Sequence, residues 1–80
     1  MAFYIRILKT AEDETSATFR FEDSRGAAGT LRFSKADSEA TLVTPMPGDD
    51  HGNHFVRAVA KLRRAWDSDG ALPEKTEWAS

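Results

Sequence analysis

The chain of eighty residues contains no cysteine. That excludes a disulfide framework, a thiolate nucleophile and a cysteine-ligated zinc site. Prolines and glycines are few, three and five, and no linker, repeat or low-complexity segment interrupts the chain. Long apolar runs are also missing. The first ten residues, MAFYIRILKT, are broken by Arg6 and fall far short of the roughly 20 residues that span a bilayer. They lack the basic leader, long apolar segment and small-residue cleavage site of a secretory signal. A cytoplasmic location, with no membrane association, is therefore expected. Basic charge is not in excess either: the net charge is -2 at pH 7, which gives no global attraction to nucleic acid or anionic lipid.

What is present fits a folded chain. Hydrophobic residues make up 40% and charged residues 30%, which argues against wholesale disorder. The length allows one domain, residues 1–80, near the small end of what folds unaided. Its single core must use nearly every large apolar side chain.

Four short segments alternate apolar and polar residues, at 3–8, 17–23, 30–34 and 40–44. Alternation sends successive side chains to opposite faces of a sheet. One phase holds Phe3, Ile5, Ile7, Ala17, Phe19, Phe21, Leu31 and Phe33, and reads as core. The other holds Tyr4, Arg6, Leu8, Thr18, Arg20, Glu22, Thr30, Arg32, Thr41 and Val43. Between the first two segments, residues 10–15 read as a solvated acidic loop.

Turn geometry sets the register. A two-residue turn at Arg25-Gly26 puts Arg20 and Leu31 on one face, the wrong phase. A three-residue turn restores the phase but sets Arg20 across from Arg32, a like-charge pair. A five-residue loop over 25–29 places Glu22 opposite Arg32 and Phe21 opposite Phe33, and this register is expected. Residues 35–38 read as a four-residue hairpin loop that pairs Phe33 with Ala40 and Leu31 with Leu42.

Pro45 and Pro47 end the sheet. A helix is expected over about 50–69, with Asp49 or Asp50 as cap and Gly70 as stop. Phe55, Val59, Leu62 and Trp66 recur at helical period and form one apolar stripe for the inner sheet face. In the tail, 71–80, Trp78 is expected to pair residues 76–79 as a short fifth strand; a flexible tail is the competing reading. The fold class expected is thus α+β: a four-stranded antiparallel meander with one C-terminal helix across one face.

Chemistry is sparse. No glycine-rich phosphate loop and no GxSxG-type nucleophile motif occurs, so no enzyme and no cofactor are expected. His51 and His54, with Asp49 and Asp50, offer metal ligands or a general base. Gly52 loosens the turn between the histidines, and no third ligand has a fixed spacing. Arg57, Lys61 and Arg64 cluster opposite the apolar stripe at about 100° per residue, a row that suits phosphate contacts. The helix dipole offers another reason for charge there, with Asp49 and Asp50 at one end and Arg63 and Arg64 near the other. The open sheet face is the stronger lead, because one helix covers one of two faces. Arginine and tyrosine are enriched at interface centres, so Tyr4, Arg6, Arg20 and Arg32 are the expected partner-binding residues. The partner would be another protein or a second copy of the chain.

Overall fold

β-branched and aromatic residues in alternation give strands, and the structure, a computed structural model, describes residues 4–79. The elements are β1 (Tyr4–Glu12), β2 (Ser16–Glu22), β3 (Ala28–Ser34), β4 (Ala40–Thr44), α1 (Asn53–Asp69) and β5 (Lys75–Ala79). They form one five-stranded sheet in the order β4-β3-β2-β1-β5, antiparallel throughout. The α+β architecture is as read from the sequence, and the tail supplies the fifth strand. Phe3 lies outside the described residues. No helix among the described residues is long and apolar enough to cross a membrane.

The alternating phases divide as expected. Ile5, Ile7, Ala17, Phe19, Phe21, Leu31 and Phe33 are fully buried on one face. Helix α1 packs on that face through Ala58, Val59 and Leu62, with Phe55 and Trp66 against the same cluster. The Phe21 and Phe55 rings lie 6.1 Å apart and the Phe33 and Trp66 rings 6.4 Å apart, both tilted, the geometry that aromatic quadrupoles favour. Met46 and Leu72, from the connections on either side of the helix, complete the core. Trp78 joins it from β5, but its Nε1 is buried without a hydrogen-bond partner.

Two boundaries differ from expectation by more than two residues. β1 runs on to Glu12, so the acidic loop shrinks to a tight turn in which Asp13 Oδ1 accepts from the N–H groups of Thr15 and Ser16, both at 2.8 Å. A bulge between Lys9 and Ala11 shifts the register there and lets the strand continue past the core. Helix α1 begins at Asn53 rather than near residue 50, because Gly52 adopts a left-handed conformation, φ 70°. Asp49 caps from outside instead: its carboxylate accepts from the N–H groups of His54 (3.0 Å) and Phe55 (3.2 Å), satisfying two of the helix's free donors. At the other end Gly70 (φ 66°) donates to the Trp66 carbonyl at 2.9 Å, as expected. The expected dipole pattern holds at the acidic end, where Asp49 meets the N-terminal N–H groups, but not at the other, since the last turn holds no base.

The β2–β3 register is the main correction. Glu22 faces Ala28, Phe21 faces Gly29 and Thr18 faces Arg32; Glu22 does not face Arg32, nor Phe21 Phe33. The phase is right but the strands pair four residues closer to the turn. Asp23 explains the shift. Its backbone N–H donates to the Ala27 carbonyl (2.9 Å), and its carboxylate accepts from the N–H groups of Arg25 (2.9 Å) and Ala27 (3.0 Å). Gly26, at φ 91°, closes that short turn. Gly29 is then a strand residue. A Cβ there would come within 2.7 Å of the Phe21 ring and of the Thr44 carbonyl oxygen, so only glycine fits under the ring. The β3–β4 hairpin, by contrast, has the expected register beside its loop, with Phe33 opposite Ala40 and Leu31 opposite Leu42, but a bulge past Leu42 sets Thr30 opposite Thr44.

Candidate functional site

The face of the sheet away from α1 is covered by no element among the described residues. Across it run Tyr4, Arg6 and Leu8 of β1, Thr18, Arg20 and Glu22 of β2, and Thr30 and Arg32 of β3, with Thr41 opposite Arg32 and Thr44 opposite Thr30 on β4 at the rim. Strand β5 enlarges it. Arg6 faces Glu77 and Leu8 faces Lys75 across the β1–β5 pair, so these two charges share the open face.

The structure brings Tyr4, Arg6 and Arg20 together around two carboxylates. Arg6 faces Glu22 across β1–β2, and its Nε donates to Glu22 Oε1 at 2.6 Å, with Nη2 on the same oxygen. Arg20 Nε donates to Glu22 Oε2 at 3.2 Å. Glu22 is only 10% exposed in its side chain, while both arginines are half-exposed. One shielded carboxylate therefore orients two guanidinium groups whose remaining donors face solvent. The hydrogen bond from Arg6 is the main cause holding the Glu22 carboxyl below the ordinary glutamate range, against a smaller opposing effect of burial. Tyr4 donates its hydroxyl to Glu77 at 3.1 Å, which raises the phenol's pKa. Tyr4, Arg6, Leu8, Lys75, Thr76 and Glu77 line a shallow depression of about 510 Å³.

Arg32 stands apart, which reverses the sequence-based expectation that Glu22 neutralises it. It lies between Thr18 and Thr41, and among the described residues no carboxylate is within ion-pair distance. It borders a second, more polar depression of about 440 Å³ with Thr18, Ser16 and the Asp13 turn. Here the acids are already engaged. Lys35 reaches Glu12 at 2.8 Å and the Asp13 carbonyl at 2.6 Å, and Lys9 reaches Glu12 at 2.6 Å.

The other candidates are dispersed. Arg57 donates to the Asn53 carbonyl one turn back, at 3.4 Å. Lys61 and Arg64 border a third depression, of about 310 Å³, which they share with Asp69. His51 is exposed, while the His54 ring lies 3.0 Å from Asp49 Oδ1. Burial on its own would raise the Asp49 carboxyl. Hydrogen bonds from the His54 backbone and ring and the Phe55 backbone outweigh it, and the net direction is down. Among the described residues no group of three or more His, Cys, Asp or Glu side chains could hold a metal ion.

Glu22 as the hub, and Lys75 and Glu77 as part of the face, were not singled out from the sequence as binding residues. The β5 pair had a readable signal, since Trp78 on the core side puts 75 and 77 on the other. The Glu22 hub depends on which residue of β1 lies beside it, and alternation does not specify that. No family model, curated protein or solved structure matches this chain.

Proposed function

We propose that the chain is a small, non-enzymatic, cytoplasmic protein-binding module that docks an acidic protein surface on its open sheet face. One observation carries the reading. On a chain of net charge -2, the uncovered face collects, among the described residues, Arg6, Arg20, Arg32 and Lys75 against Glu22 and Glu77. Pairing by Glu22 restrains two of the arginines before any partner arrives, which lowers the entropy cost of using them. Tyr4 and Leu8 add apolar area beside them, and the mixture of aromatic, guanidinium and aliphatic surface is that of interface centres. Arg32, which has no ion pair among the described residues, supplies a cation for a partner carboxylate.

Arg32→Glu is the cleaner test, because it breaks no ion pair seen among the described residues. Arg20→Glu is expected to act in the same direction, with a small loss of stability from its proximity to Glu22. Proteins captured on the wild-type chain and on each variant are compared by quantitative mass spectrometry, with circular dichroism confirming the folds. The expected result is an acidic protein retained by the wild type, released as salt rises, and lost from both variants. Identical captured sets on wild type and variants would show the face to be merely solvated.

A further inference from the structure

The two edges of the sheet differ in chemistry. β5 carries Lys75 and Glu77, charges of the kind that protect native edges from pairing, whereas the five residues of β4, Ala-Thr-Leu-Val-Thr, include no charge and no proline. The exposed large apolar residues among those described gather at the β4 edge. Leu42 is 40%, Val43 54% and Val56 60% exposed, and Val56 lies beside Ala40 in a groove of about 260 Å³ between β4 and α1. The backbone is equally open. Ser34 N–H donates to the Glu39 carbonyl at 2.8 Å, with Phe33 opposite Ala40 and Leu31 opposite Leu42. Antiparallel alternation then turns the N–H and C=O groups of Ala40 and Leu42 away from β3, toward the free edge.

We propose that β4 pairs with β4 of a second copy of this chain, antiparallel, about a two-fold axis through Leu42. The two sheets then continue as one. A two-fold interface requires a surface that complements itself, and β4 does. Leu42 meets Leu42, Thr41 lies in the regular part of the strand before the bulge past Leu42, and no charge is brought opposite a like charge. The outward N–H and C=O of each Leu42 bond to those of its mate. Because the axis is perpendicular to the sheet, both helices lie on the same side, with the Val56 flank of each turned toward the junction. A charged strand from another protein would find no counter-charge on β4, which favours the second copy as occupant. The pairing spans few residues before the bulge past Leu42 and Pro45 end the regular strand, so the interface is smaller than the roughly 800 Å² per partner of a standard one. Association is accordingly concentration-dependent.

Sedimentation velocity from micromolar to millimolar chain tests this. The wild type is expected to pass from 8.9 kDa toward twice that mass. Leu42→Lys and Leu42→Glu, each placing like charges on the axis, are expected to remain monomeric, and an equimolar mixture of the two to regain the dimer. Should either fail to fold by circular dichroism, Val56→Lys, on the exposed flank of the helix, replaces it and is expected to weaken association at least tenfold. A wild type that stays monomeric throughout the range overturns the proposal. So does a dimer that Leu42→Lys and Val56→Lys leave intact, and if Arg32→Glu abolishes that dimer, the open face is the self-association surface instead.

Discussion

The two faces of this sheet are built from the same strands and obey opposite rules. The inner face is a closed set of aromatic and aliphatic side chains, each fixed by its neighbours and by α1. The outer face mixes threonines and charged groups with Tyr4 and Leu8, and among its described residues the shielded carboxylate is Glu22. Side chains on the inner face are interchangeable only within narrow limits of volume. Those on the outer face are constrained mainly by their pairing. A fold can therefore rest on one face while the other is free to carry recognition.

Substitutions should expose that asymmetry in graded steps. Phe19→Ala, at the centre of the inner face, removes a fully buried ring and is expected to cost about 3–5 kcal/mol. Against the roughly 5–15 kcal/mol that holds a typical domain, urea denaturation should show a protein that is largely unfolded or close to it. Wild-type stability in this variant would mean that the inner face is not the core.

Glu22→Gln, on the outer face, is expected to cost about 1 kcal/mol, since both arginines it releases are half-exposed and screened. Its pH dependence is the sharper readout. A carboxyl held below its ordinary value contributes stability above the unfolded-state value and loses it as pH falls through the folded-state value. The gap between wild type and Glu22→Gln should thus be constant near neutrality and close below about pH 4. A gap independent of pH would assign the cost to packing rather than to charge. Arg32→Ala should move stability by no more than about 0.5 kcal/mol, as thermal melts would show. A larger loss would mean that this part of the outer face is structural.

What could be read from the sequence follows the same divide. Residue phase, the apolar stripe of the helix and the register of the β3–β4 hairpin are local properties, and they are visible in the order of residues. The β2–β3 register was not, because alternation fixes register only to the nearest even step. Gly26 and Gly29 both resemble loop residues, yet one closes the turn and the other lies in a strand beneath Phe21. Asp23 decides between them through two backbone hydrogen bonds. The candidate site was half legible. Tyr4, Arg6 and Arg20 could be assigned to one face, but Glu22 reaches Arg6 through the β1–β2 pairing, whose bulge has no signature in the alternation of β1.

Helix α1 leaves the sheet from β4, at one edge, and returns the chain to β5, at the other. The first four strands can zip together through short connections, each pairing with the one before it. β5 cannot join until the helix has crossed the sheet, since it lies against Ile5 and Ile7 of β1, near the opposite end of the described chain. Its hold is also weakened, because Trp78 buries an indole N–H that finds no acceptor among the described residues, a cost of about 1–3 kcal/mol. The molecule thus has a stable meander and a late-arriving strand that can leave without dismantling it. In native-state hydrogen exchange the amides of the two edge strands, β4 and β5, would open before those between β2 and β3.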